Sequence, residues 1–199
     1  MAAIPATVKD VVAPSNIDRT LSTLTLAFST DPIARWAYDD DPHLYLTHFP
    51  AFARAFGGQA FEAGTAHEIK DGIGAALWLP PGVHVHDETL GAVLEQTLSP
   101  EKCAAIGAVF GKLAEYHPNE PHWYLPLIGI DSLHQGKGYG SVLLDHTLRQ
   151  CDRDHVAAYL ESTNPRNIPF YKRHGFELLG TTVVVDSSRS ISPMLRLAR

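Results

Sequence analysis

Apolar residues recur along the chain with two different periods, and the changes of period divide it into elements. Val8, Val11 and Val12 form a short β-branched segment. Ser15 and Asp18 are candidate N-caps for a helical run from Arg19 to Phe28. Asp31-Pro32 interrupts this run, and Pro32 is suited to begin a further turn towards Trp36. Asp39, Asp40, Asp41 and Pro42 read as a loop and helix start, followed by helical apolar spacing from His43 to Phe56 that Gly57-Gly58 ends. Strands are predicted from Gln59 to Ile69 and from Gly74 to Leu79, joined by a hairpin-type turn at Lys70-Asp71-Gly72. Pro80-Pro81-Gly82 stops the second strand. Glu88 to Tyr116 reads as one or two helices with a break near Ser99-Pro100, and His117 to Pro121 as a rigid loop.

The pattern then changes character. His122 to Ile130 is dense in aromatic and aliphatic residues, which predicts a strand, yet it contains Pro126 and Gly129. Proline removes a ladder donor and glycine weakens a strand interior, so a bulge is expected here, or a place where something else approaches the backbone. A glycine-rich turn follows, and Val142, Leu143, Leu144 and Leu148 then resume helical spacing. Strand, glycine-rich turn and helix in succession present the free N–H groups of a first helical turn, which favour an anion such as a phosphate. A P-loop is excluded by spacing: six residues lie between Gly129 and Gly136, and Gly138 follows Lys137 where a metal-binding hydroxyl belongs. A dinucleotide-binding turn fits poorly, because Gly136, Gly138 and Gly140 give GxGxG late in the chain. Taken alone, the turn is equally consistent with a tight structural corner.

The next forty or so residues add a second block. The helix ends near Asp152-Arg153-Asp154, and Val156 to Glu161 reads as a strand. In the segment Asn164 to Phe176, Asn164 or Asn167 caps a short helix, with Pro165 or Pro169 in its first turn. Gly175 stands where a left-handed C-terminal cap is needed, and Phe176 returns the chain to a strand.

Composition narrows the classes of partner. With 199 residues, 45% apolar and 19% charged, the chain reads as one globular domain spanning 1–199. Sixteen Lys and Arg against 22 Asp and Glu give a net charge of −6 with no basic run, which argues against a duplex nucleic-acid partner. No apolar stretch approaches the roughly 20 residues that span a bilayer, and the first residues lack a signal-peptide pattern, so a cytoplasmic location is expected. Cys103 and Cys151 match no CxxC pattern and are expected as reduced, packed thiols. His84 and His86 lack a nearby third ligand, so no metal is expected. Trp36, Trp78 and the Asp39 to Asp41 run are candidates for the wall of an amine pocket, or for ordinary core tryptophans and an acidic helix start.

The stretch QGKGYG (Gln135 to Gly140) and the stretch NPRNIPFYKRHGF (Asn164 to Phe176) together resemble the GNAT superfamily of N-acetyltransferases. Within it the chain is most similar to the group of small-molecule acetyltransferases that includes puromycin N-acetyltransferase, over roughly residues 122–180. The resemblance implies an α/β (α+β) fold: a mixed, mostly antiparallel twisted sheet of about six to seven strands, flanked by helices and splayed at its central strand. It implies transfer of an acetyl group from acetyl-CoA to a primary amine of a small molecule, by direct attack in a ternary complex. A peptide or protein amine is the alternative acceptor, and a non-catalytic acyl-CoA-binding module the alternative class. Leu127, Ile128, Gly129 and Ile130 are then expected along the pantetheine arm, with an N–H near Ile128 as oxyanion donor. Gln135, Gly136, Lys137, Gly138, Tyr139, Gly140 and Ser141 are expected at the pyrophosphate, and Asn164 and Asn167 at the cofactor. Tyr171 is the candidate acid and Glu161 the candidate base or water-holder. The assembly expected is a monomer or a homodimer.

Overall fold

The structure, a computed structural model, describes residues 7–9, 12–180, 183–186 and 188–199. The N-terminal part supplies β1 (Val8–Lys9), α1 (Ile17–Ala27), α2 (Pro32–Ala37), α3 (Pro42–Gly57) and the single turn α4 (Gln59–Glu62). The hairpin strands β2 (Ala66–Ile69) and β3 (Gly74–Leu79) follow, then α5 (Asp87–Thr97) and α6 (Pro100–Ala114). The remainder forms β4 (His122–Ile130), α7 (Tyr139–Asp154), β5 (Ala157–Ser162), α8 (Ile168–Arg173), β6 (Glu177–Leu178), β7 (Val183–Val184) and β8 (Ser190–Arg196).

Asp-Pro pairs start two of the helices. Asp31 Oδ1 accepts the Ile33 and Ala34 amides, and Asp41 Oδ1 accepts those of His43 and Leu44. Pro32 and Pro42 follow at positions where no amide donor is needed. Ser99 caps α6 in the same way, so the predicted break divides α5 from α6. Neither Ser15 nor Asp18 caps α1, whose N-cap is Asn16 at the end of a 3₁₀ turn that already holds the chain. Nor is Gln59 to Ile69 a single strand. Its first four residues form α4, with Ala60 fully buried, and Gly64 at φ +69° turns the chain into β2. Val12 packs in the core outside β1, and Val11 lies outside the described residues.

The strands run in the order β1-β2-β3-β4-β5-β8-β6, with β7 pairing β8 off this path. β4 and β5 are parallel, and the other pairs are antiparallel. This is the mixed, mostly antiparallel sheet expected. Its central pair is joined only over His122–Tyr124 and Ala157–Tyr159, after which the two strands part. In that region Leu79 faces Tyr124 and Leu77 faces Leu127, so Trp78 opposes both Leu125 and Pro126. Pro126 thus sits in a bulge, where its missing donor costs no ladder bond. Gly129 is required by packing, since a Cβ there would lie 2.6 Å from the Ala27 Cβ on α1.

Both faces of the sheet are covered. Leu24, Tyr45, Phe49, Leu77 and Tyr159 form one buried core beneath α1 and α3. Trp78, Leu143, Leu144, Leu160 and Met194 form the other, against α7. Trp78 is therefore a core tryptophan, edge-on to Trp123. Cys103 and Cys151 are both free, the second fully buried.

Candidate active site

The parting of β4 from β5 opens the sheet, and the glycine-rich turn lies at one end of the opening. Gly136 and Gly138 have φ of +72° and +83°, a conformation that a side chain would strain, and Gly138 leads directly into α7. The first-turn amides of α7 consequently face a cleft of about 630 Å³. Gln135 Nε2 donates to the Ile130 carbonyl at 3.0 Å, tying the turn to the end of β4. Ile128, Gly129, Ile130, Gln135, Gly136, Gly138 and Tyr139 to Ser141 all border this cleft, as do Asn164 and Asn167.

Arg166, Arg173 and His134 border it as well, and sequence reading did not single them out. The two arginines bring positive charge to the amide-lined cleft, so donors and charge both suit an acidic diphosphate. Lys137 is placed differently from expectation. It is exposed, its Nζ donates to the Leu133 carbonyl at 3.1 Å, and it does not border the cleft. Asn164 caps the turn before α8 by accepting the Arg166 amide, whereas Asn167 makes no side-chain cap.

Phe28, Asp31, Ile128, Asn167 and Tyr171 belong both to the cleft and to a second, apolar cavity of about 130 Å³. Leu127 lies in the wall of this cavity rather than in the cleft. One side of it comes from α3, where Phe49, Phe52 and Phe56 recur at helical spacing. Phe52 and Phe56 stack at 5.3 Å, and Phe56 stacks on Phe110 of α6 at 6.0 Å. Trp36 lines the cavity, with Lys102 Nζ 4.5 Å above its ring. The acidic run does not. Asp39 pairs with Lys102 and Asp40 with Arg189, while Asp41 caps α3.

Two acidic side chains reach the cavity, Asp31 and Glu161. Asp31 is 7% exposed, and its Oδ2 accepts the Thr163 hydroxyl at 2.6 Å while Oδ1 takes the two α2 amides. Burial raises its carboxyl above the ordinary range, opposed by those hydrogen bonds. Tyr171, on α8, is buried where cleft and cavity meet. Burial, and secondarily the nearby Asp31 charge, push its phenol well above its ordinary value, so it keeps its proton throughout the neutral range.

Glu161, at the end of β5, separates the apolar cavity from a polar pocket bordered by His84, Asp87, His117, Glu120 and His122. Tyr124 donates to Glu161 Oε2 at 2.7 Å, and His117 Nδ1 lies 3.9 Å from Oε1. His117 Nε2 is 3.0 Å from His122 Nε2, and His122 Nδ1 meets the Glu120 carbonyl at 2.8 Å. A carbonyl only accepts, so His122 Nδ1 carries a proton. His122 Nε2 and His117 Nε2 share the second bond, and desolvation by burial lowers the His122 pKa. The two rings form a hydrogen-bonded pair beside Glu161, on the border of the polar pocket. Among the described residues no group of three or more His, Cys, Asp or Glu is arranged to hold a metal.

A family model described as the acetyltransferase (GNAT) family matches residues 72–176, from the β2–β3 turn to the end of the Asn164 block. The chain belongs to this family. It is 29% identical over 127 residues to an uncharacterized N-acetyltransferase of Schizosaccharomyces pombe, covering 57% of this chain and 51% of that protein. It is 27% identical over 81 residues to N-alpha-acetyltransferase 50 of Danio rerio, covering 39% and 48%. The chain thus spans about half the length of these curated relatives. Among solved structures, arylalkylamine N-acetyltransferase 2 of Aedes aegypti superposes with TM-score 0.67 at 13% identity, covering 98% of this chain and 100% of that one. The polyamine N-acetyltransferase of Drosophila melanogaster superposes with TM-score 0.64 at 15% identity, covering 96% and 99%. At those identities the likeness of this acetyltransferase-family chain to them is one of fold.

Proposed function

We propose that this chain transfers an acetyl group from acetyl-CoA to a primary amine of a small molecule, by direct attack while both are bound. The observation that carries this reading is the shared wall of Ile128, Asn167 and Tyr171, where an amide-lined, cationic cleft meets an apolar cavity. Each substrate has its own chamber, and the chambers touch at groups able to move a proton. The structural neighbours named for arylalkylamines and for polyamines are in keeping with a small amine acceptor.

Acetyl-CoA supplies the thioester from which the acetyl group is taken. The amides of Gly136 to Ser141, with Arg166 and Arg173, hold its diphosphate. The β4 edge from Leu127 to Ile130, free of β5, binds the pantetheine arm through backbone groups, and the Ile128 N–H stabilises negative charge at the carbonyl oxygen. Glu161 takes the proton released as the amine nitrogen forms its bond to carbon, directly or through water, and gives it up to solvent through the polar pocket it borders. Tyr171 gives its hydroxyl proton to the departing sulfur, because a buried phenol remains protonated while a thiolate is being released. Solvent then restores that proton.

Release of free thiol from acetyl-CoA, followed over a panel of small amines, tests the reading. Amine-dependent release with a mass gain of one acetyl group on the amine is expected. Saturable acetyl-CoA binding without release for any amine would sink it.

A further inference from the structure

Four properties of the 130 Å³ cavity bear on the body of the acceptor. The first is size. An apolar cavity of about 150 Å³ accommodates benzene, so this one matches a single ring or a branched alkyl group of similar bulk. A fused two-ring body exceeds it.

The second is the character of the walls. Phe52, Phe56 and Phe110 are stacked one on the next at interplanar angles of 18° and 22°, and Ile106 and Val109 of α6 also line the space. Rings stacked in such a row turn edges and outermost faces to the space, and these receive an aromatic ring in edge-on or offset contact.

The third is the distribution of charge. Of the two carboxylates present, Asp31 has both oxygens engaged by two amides and the Thr163 hydroxyl, whereas Glu161 has Oε2 on the Tyr124 hydroxyl and Oε1 3.9 Å from His117, so Glu161 keeps an oxygen for an incoming amine. One end of the cavity is therefore fitted for one nitrogen. A second ammonium at the far end would be buried among the phenylalanines with no counter-charge, and a peptide would bury its amides there without partners.

The fourth is the outer boundary. Lys102 sits over Trp36, donates to the Trp36 carbonyl at 2.8 Å and pairs with Asp39, so the cation nearest this wall is already committed. The groups there that attract a cation are thus already occupied by Lys102.

Resting on the acetyl-transfer reading, we infer that the acceptor is a monoamine whose nitrogen is joined by a short linker to one apolar ring, or to a branched alkyl group of the same bulk. Diamines, guanidinium amines and peptide N-termini are excluded by the same walls.

The test measures kcat/KM with acetyl-CoA for 2-phenylethylamine, isoamylamine, tryptamine, putrescine, agmatine and a trialanine peptide. 2-Phenylethylamine and isoamylamine should exceed putrescine, agmatine and the peptide by at least about a hundredfold. Tryptamine should fall about tenfold or more below 2-phenylethylamine. Phe110→Ala and Ile106→Ala, each enlarging the far wall, should then raise tryptamine relative to 2-phenylethylamine by about tenfold, a gain that misfolding cannot produce. Putrescine, agmatine or the peptide matching the ring amine would overturn the inference and leave acetyl transfer standing. Saturable binding of 2-phenylethylamine with no thiol release would overturn acetyl transfer and leave the ligand class standing. Neither binding nor release with any of the six would overturn both.

Discussion

The Tyr124 hydroxyl, at the last residue where β4 is still paired with β5, donates to the Glu161 carboxylate at 2.7 Å. The carboxylate is thereby held at the fork of the two strands, with its second oxygen turned towards His117. Glu161→Gln should lower kcat/KM by about 10²-fold or more, the usual contribution of a positioned general base, without changing acetyl-CoA affinity. Tyr124→Phe should lower kcat several-fold by loosening the carboxylate. Steady-state kinetics with parallel acetyl-CoA titrations measure both, and wild-type turnover in Glu161→Gln would remove Glu161 from the chemistry.

Tyr171→Phe should reduce turnover at least tenfold with acetyl-CoA affinity nearly intact, because it removes one proton donor and keeps the ring. Unchanged turnover would leave Tyr171 as a packed aromatic at the junction of the two chambers.

The alkaline limb of the pH–rate profile offers a separate handle on Tyr171. Burial and the Asp31 charge both favour the neutral phenol, so activity should persist past pH of about 10, where an ordinary tyrosine ionises. Asp31→Asn removes the second influence while keeping an N-cap side chain, so the limb should move to lower pH. A limb that stays in place in this variant would disconnect the two residues.

Gly138→Ala places a side chain at φ +83° at the start of α7. The strain should cost about 1–2 kcal/mol and lower the melting temperature by several degrees. Acetyl-CoA affinity should weaken as well, since the first-turn amides move. Gly111→Ala provides the control: that glycine is helical, with open space around its added Cβ, and the change should leave the melting temperature equal or slightly higher.

Arg196 of β8 is 4% exposed and meets Asp152 of α7 through two 2.8 Å bonds. Asp152→Ala strands a buried guanidinium and should cost about 2–3 kcal/mol, moderated by the partial exposure of Asp152. Hydrogen bonding to Arg196 holds the Asp152 carboxyl below its ordinary value of 3.8. Its stabilising contribution is therefore complete above that value and is lost as pH falls through the lower, folded-state value. Denaturant titrations between neutral pH and pH of about 2 should show this acid loss in the wild type and a smaller one in Asp152→Asn.

The cleft was legible in the sequence because its determinants are local. Positive φ at Gly136 and Gly138, the Asn164 cap and the left-handed Gly175 are each set by a few neighbouring residues. Lys137 escaped such reasoning, since a long side chain on an exposed turn goes where a carbonyl is offered, here that of Leu133. The cavity escaped it for a different reason. Phe49, Phe52 and Phe56 have the spacing of any buried helical face, and only the placement of α6 and the bulged β4 leaves a void in front of them. The histidine pair was hidden likewise, because His117, bonded to His122, comes near Glu161 only once β4 and β5 are side by side. The misread segment at Gln59 turned on one helical turn that burial of Ala60 rewards, a tertiary effect on four residues.

β8 follows β6 in the chain, yet it lies between β5 and β6, with Pro193 opposite Glu161. The strand edge carrying Glu161 therefore owes its antiparallel neighbour to Ser190–Arg196, a segment distant in sequence, and loss of that segment would leave the edge unpaired.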